Sequence, residues 1–266
     1  MSPGFTDISW AGLLWSLLLV LVAMALSRWQ QLGLETRIII GCLRTVGQLL
    51  ALGYALSWII GAGNPWLVLA AATLQVSFAC WTTGSLMQPR LRGSRLIALY
   101  SLLPAYLLIL GVLVTVVIQP EPYWDPRIVL PLGGMLLGNA MTAVALALNR
   151  YRGDLTSHRP LILARMALGV HWRQAVQQLR RDAASAAILP TVAALYTVGL
   201  VAIPGMMSGQ IIAGLSPVVA VKYQIVVMFM LAAVVGLSAT IALTLMVKRA
   251  RFEDAPAKRP NRTLPA

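Results

Sequence analysis

Residues 183–224 read AASAAILPTVAALYTVGLVAIPGMMSGQIIAGLSPVVAVKYQ. The stretch holds no acidic residue and no basic one before Lys222, so it is apolar enough for a membrane. Yet Pro190, Pro204 and Pro217, with Gly199, Gly205, Gly209 and Gly214, make it a poor uniform rod. Proline removes a backbone donor and kinks or ends a helix. In hydrocarbon, every freed carbonyl must find protein or cavity water. A broken apolar segment is therefore a packed kink with a tight outer loop, or the wall of a transport path.

The rest of the chain agrees with a bilayer. Its 266 residues are 59% hydrophobic and 11% charged, with a mean hydropathy of +0.78. A soluble domain carries about 25% charge. Apolar runs predict seven spans: Ile8–Ser27, Arg37–Gly61, Pro65–Met87, Leu96–Ile118, Arg127–Leu148, Ala186–Ile203 and Pro217–Val247. Each approaches the ~20 residues a crossing needs. Ala23-Met24-Ala25 resembles a signal-peptidase site, but Asp7 rather than a basic residue precedes the run, so a retained helix is expected. The expected fold is an all-α integral membrane protein of about seven transmembrane helices, with a broken or re-entrant segment near 186–217.

The net charge of +13 would suit a nucleic-acid partner, were the charge not distributed by side. Arg28 and Arg37 fall in one inter-span loop, Arg90, Arg92 and Arg95 in the third, and Arg150 through Arg181 in the fifth. The run from Lys248 to Arg262 follows the last span. The opposite loops hold Asp7, Glu121, Asp125 and one edge arginine, Arg127. The positive-inside rule then places the N-terminus outside and the C-terminus in the cytoplasm, and excludes nucleic acid as the reason for the charge. Trp10, Trp58, Trp66 and Trp124 mark outer ends and Trp29 an inner one, as an aromatic belt would.

The longest cytoplasmic connection, 149–184, contains PLILARMALGVHWRQAVQQLRRDAA from Pro160. Leu161, Leu168, Trp172, Val176 and Leu179 recur at helical spacing among arginines, which predicts an amphipathic segment of two short helices joined at Gly169. It could lie on the anionic inner leaflet or dock a partner; for docking, Arg165, Gly169, Trp172 and Arg173 are the candidates. Residues 1–247 thus form one membrane domain, and 248–266 a basic tail expected to be disordered.

No enzyme motif is present: no glycine–lysine pair exists, so no P-loop, and there is no H-E-x-x-H. No cofactor is implied. No acidic residue lies in a predicted span, which argues against a buried carboxylate proton relay. Arg44 and Gln48 share a face of the second span, with snorkelling the plainer role for Arg44. Gln75, Asn139 and Gln224 are intramembrane amides, each expected to face another helix. Gly134/Gly138 and Gly205/Gly209 form G-x-x-x-G steps that permit close helix approach. Cys42 and Cys80 lie at similar depth, read as inert thiols before a soft-metal pair. Met206 and Met207 could offer thioethers to a soft ion or simply pack. The path or gate candidates are Asn139, Pro204, Gly205, Met206, Met207, Gly209, Lys222 and Gln224. Lys222 is expected to snorkel or to pair with Glu121 or Asp125. No metal ligands can be named.

Four strings resemble the FetB-like family of ABC-transporter permeases, proposed iron exporters: GGMLLGNAM (133–141), AAILPT (186–191), VGLVAIPGMMSGQIIAG (198–214) and SPVVAVKYQIVVMFML (216–231). The resemblance implies a membrane subunit paired with a separate ATPase, as a homodimer in a bacterial inner membrane. Bacterial members are linked to iron export and plant relatives to aluminium tolerance, so a metal cation is the first expected substrate and an organic or anionic solute the second. A passive channel or membrane scaffold is the reading from another class. Ala164–Gln174 loosely resembles the docking loop of importer permeases but lacks its acidic residue.

Overall fold

The computed structural model describes residues 9–31, 33, 35–87 and 93–249. The predicted tail from residue 250 onward and Arg90 and Arg92 lie outside them. The described chain runs α1 (Trp10–Trp29), α2 (Glu35–Ala62), α3 (Pro65–Leu86), α4 (Ser94–Val112), a π-helical stretch (Leu113–Ile118) and α5 (Pro126–Ser157). It continues through α6 (Arg159–Ala167), α7 (Trp172–Ala175), α8 (Gln177–Thr197), α9 (Gly205–Ile212) and α10 (Pro217–Arg249). The protein is an all-helical, multi-pass membrane protein. Five of these helices are both long and apolar enough to cross: α2, α3, α4 with its π extension, α5 and α10.

Helix starts follow local chemistry. Ser9, Asn64 and Asp125 cap α1, α3 and α5 through side-chain oxygens, and Pro65 and Pro126 sit in the first turn, where a missing N–H costs nothing. Inside the bundle, α10 packs against α5, α4 and α8, and α3 packs against α5 and α4. These contacts are lined by small side chains: Ala98, Ala105, Ala140, Ala147, Ala239 and Ala242 are all essentially buried. Lipid tails are as apolar as leucine, so close backbone approach, rather than expulsion of apolar surface from water, holds such helices together. The buried hydroxyls are satisfied within their own helices: Thr83 donates to the Ala79 carbonyl at 2.7 Å and Ser101 to that of Ile97 at 2.8 Å. Outward faces carry Leu43, Leu49, Leu74, Leu107 and Phe229, as a lipid-facing surface requires.

α2 is set apart. It touches mainly α1 and α5, and over its most apolar stretch it buries nothing. Its far end packs into the bundle, where Ile59 meets Val68 and Leu130, and its start is tied to α1, where the Ser27 hydroxyl donates to the Glu35 carboxylate at 3.0 Å. Arg44 and Gln48 are exposed on it.

Two helices differ from their predicted bounds. The sixth span was expected at Ala186–Ile203, but α8 starts at Gln177 and ends at Thr197. Residues 198–203 form a tight turn instead, with Gly199 at φ +85° and its N–H bonded to the Ala202 carbonyl at 2.9 Å. The early start follows from composition: Gln, Leu, Arg and Ala are good helix formers. Likewise α5 runs past the expected Leu148 to Ser157. The 149–184 connection therefore begins and ends within two long helices, with α6 and α7 between them.

Candidate transport path and docking segment

The broken stretch forms α9, an eight-residue helix after Pro204. Its start is tied down by Ser208, whose backbone N–H donates to the Pro204 carbonyl at 3.0 Å. Between α9, the end of the π stretch and the starts of α5 and α10 lies a cavity of about 460 Å³. Met206 and Gln210 of α9 line it, with Arg127 and Met135 of α5 and Tyr223 of α10. Of the sequence candidates in this region, only Met206 reaches the cavity; Pro204, Gly205, Met207, Gly209, Lys222 and Gln224 do not line it. The close packing expected at Gly205 and Gly209 is not made, since a Cβ at either would meet nothing within 4 Å.

Gln224 is buried, and its Oε1 has no partner among the described residues. Gln210 Oε1 is orphaned in the same way, and Gln210 was not singled out from sequence. Its only signal was an amide in an apolar run. Lys222 is exposed and makes no ion pair among the described residues, where the single bridge is Arg150–Asp154 at 2.8 Å. The expected pairing with Asp125 is not made: that carboxylate accepts from the Arg127 N–H at 2.9 Å.

α5 carries a second feature. Its exposed positions include Pro131, Gly134, Asn139, Thr142, Leu146 and Arg150, spaced along one face. The contrast with α4 is plain, for α4 exposes Leu107, Leu108 and Val112. Asn139 does not reach another helix as expected: its Nδ2 donates to the Met135 carbonyl of its own helix at 2.9 Å. Gln75 does cross, donating from Nε2 to the Leu130 carbonyl at 3.3 Å. The tight glycine is Gly133, which the G-x-x-x-G pattern passed over. A Cβ there would lie 2.8 Å from the Tyr106 hydroxyl and 3.4 Å from Gln75 Oε1. Gly138 meets nothing within 4 Å. Cys42 and Cys80 are free thiols, and no cluster of three His, Cys, Asp or Glu side chains occurs among the described residues.

At the basic end of the bundle, α6 ends in a left-handed turn. Gly169 sits at φ +87°, its N–H bonds the Met166 carbonyl at 2.9 Å, and the Val170 N–H bonds that of Arg165 at 3.1 Å. This paired closure needs a residue that tolerates positive φ, hence glycine. Of the apolar positions expected to recur on the amphipathic segment, Val176 and Leu179 are buried and Trp172 half-buried, whereas Leu161 is half exposed and Leu168 is 85% exposed; Ile162 is buried beside them. Leu168 tops the turn, with exposed Arg165 and Arg173 nearby in sequence. Trp172 turns inward, and its indole N–H donates to the Val247 carbonyl at 3.2 Å.

A family model described as an uncharacterised protein family, UPF0014, matches residues 10–251. The chain is 34% identical to the UPF0014 membrane protein slr1647 of Synechocystis over 96% of this chain and 98% of that protein. It is 37% identical to the probable iron export permease protein FetB of Escherichia coli, over 88% of this chain and 89% of that one. It is 34% identical to the protein ALUMINUM SENSITIVE 3 of Arabidopsis thaliana, over 81% and 78%. No solved structure matches significantly. The expected resemblance to FetB-like permeases holds, and the chain belongs to the UPF0014 family of membrane proteins.

Proposed function

We propose that the chain is the membrane subunit of an ATP-driven exporter of the ABC class, moving iron or another metal cation out of a bacterial cytoplasm. In this reading two copies form the path, and a separate ATPase subunit on the cytoplasmic side supplies the energy. The N-terminus lies outside, residues 1–247 form the membrane domain, and 248–266 form a cytoplasmic tail.

The observation that carries the reading is the turn at Leu168–Gly169. An 85%-exposed leucine on a rigidly closed turn, between arginines, is a surface suited to a protein partner. The turn is tied to the span α10 through Trp172 and leads within a few residues into α8. Motion imposed on it by an ATPase would therefore reach the membrane. Arg165, Gly169 and Arg173 would shape that surface, and Trp172 would transmit.

The mainly small and polar stripe of α5, with Asn139 near its centre and Leu146 its one exposed leucine among the described residues, supports a path between two copies, because lipid would favour more leucines there. α9, with Pro204 and Gly205 at its start, would gate the outer mouth, and Met206, Met207, Gly209, Lys222 and Gln224 would lie at or beside that gate. Direction and substrate rest on the relatives' names: one is called a probable iron export permease.

A second reading has its own support. Among the described residues the cavity beside α9 is lined by Arg127 and by no carboxylate, which suits an anionic or chelated solute better than a bare cation. Cells with and without the chain, each with and without its ATPase, decide between the readings. Lower cellular iron only when both are present supports metal export. Unchanged metal content with altered export of an organic anion supports the second reading.

A further inference from the structure

Beyond the transport path, a cavity of about 260 Å³ lies where α7, α8 and α10 meet. It is lined by Arg173, Gln174, Gln177, Arg180, Thr244, Val247 and Lys248. Three of these are cations, none is an acid, and none of the three cations takes part in an ion pair among the described residues. Lys248 complements the C-terminal end of α10, as a basic residue in a last turn does. That does not account for Arg173 and Arg180 lining the same hollow from other elements.

The backbone adds to the charge. α8 is 21 residues long, follows a break at Val176, and has no side chain capping its start. Gln177, its first residue, lines the cavity. Uncapped first-turn amides with the positive end of the helix dipole favour an anion with several acceptor oxygens. Depth narrows the choice. Thr244 and Val247 belong to the apolar run of α10, and Lys248 is where that run gives way to charge. The cavity therefore straddles a membrane–water boundary, the level of lipid phosphates.

We infer that this cavity is a binding site for the phosphate of an anionic phospholipid headgroup, clasped by Arg173, Arg180 and Lys248 over the start of α8. A lipid held there ties α7, α8 and α10 together at the base of the docking turn. The site stands on its own electrostatics and holds whatever the chain transports.

The test uses the purified full chain, stripped of lipid in detergent and titrated with phosphatidylglycerol or phosphatidylcholine, with bound lipid counted by native mass spectrometry. Wild type retains one phosphatidylglycerol per chain in preference to phosphatidylcholine. R180Q/K248Q binds it roughly 30-fold more weakly, taking each cation at the size usual for basic residues at a membrane surface. R180K/K248R, which keeps both charges, retains it. Both positions are exposed, so neither double variant opens the core. Equal retention of the two lipids overturns the site, as does unchanged affinity in R180Q/K248Q. Binding of inorganic phosphate or glycerol phosphate without lipid retention overturns the lipid as its occupant.

Discussion

Trp172 and Val247 lie 75 positions apart, yet the indole N–H of one donates to the backbone carbonyl of the other at 3.2 Å. The bond joins the short helix after the Leu168–Gly169 turn to the last turns of α10. It also gives a side-chain partner to a carbonyl in the last described turn of α10. A side chain expected among the docking residues is half-buried and bonded to α10.

Trp172→Phe keeps most of the ring and removes the donor. It should cost about 1 kcal/mol of stability, the net worth of such a hydrogen bond. Membrane insertion should be normal, while ATP-driven transport falls more than ATPase binding does. Thermal unfolding in detergent, copurification and transport assays check the three parts. Trp172→Glu should be harsher, since it places a charge against the half-buried floor of the turn.

Gly169→Ala tests the turn itself. Its Cβ would meet nothing within 4 Å, so the cost comes from φ +87° alone. That is roughly 1–2 kcal/mol for an L-residue. Gly169→Pro should do more, because it also removes the N–H that bonds Met166. The expected outcome is a folded, inserted protein whose ATPase is no longer stimulated. Wild-type stimulation in Gly169→Pro would show that the turn's shape is unimportant.

Gly133→Val should destabilise through crowding rather than through φ. Its Cβ would fall 2.8 Å from the Tyr106 hydroxyl and 3.4 Å from Gln75 Oε1. Overpacking of this kind costs about 1–3 kcal/mol. Combining it with Tyr106→Phe should recover part of the loss, because the hydroxyl is the nearest obstacle. Gly138→Val, in open space, should be nearly neutral in the isolated chain. Detergent melting curves of the three variants and of Tyr106→Phe alone make the comparison.

Orientation can be read by labelling. In a chain with Cys42 and Cys80 replaced by alanine, a cysteine at Ser216 should react with an impermeant thiol reagent applied to intact cells. One at Ser157 should react only after permeabilisation. The reverse pattern would invert the membrane orientation and place the docking turn on the wrong side for an ATPase.

The sequence reading was strongest where one physical signal sufficed. Apolar runs located α2, α3, α4 and α10 to within a few residues, and Gly169 marked the turn because a left-handed closure needs it. It was weakest where hydropathy was asked to mark helix ends. Hydropathy falls where a helix leaves lipid, not where its hydrogen bonds stop, so α5 ends later and α8 starts earlier than it marks, while α8 stops at Thr197 within the apolar run. Amide partners were also hidden. Asn139 satisfies itself on its own helix, whereas Gln75 crosses to Leu130, and nothing in their spacing separates the two. Gly133 was missed because Gly134 and Gly138 fit the familiar pattern, while the close neighbours Tyr106 and Gln75 come from other helices.

The central claim is that this chain moves its substrate only when an ATPase acts on the turn at Leu168. The most direct measurement is metal movement in proteoliposomes holding the chain with its ATPase subunit, loaded on the cytoplasmic side with iron or a chelated anionic form of it. The account predicts movement that requires ATP, disappears without the ATPase, and is lost in Leu168→Glu with the chain still inserted. Flux that proceeds at full rate without ATPase or ATP, and unchanged in Leu168→Glu, would contradict it and make the protein a channel.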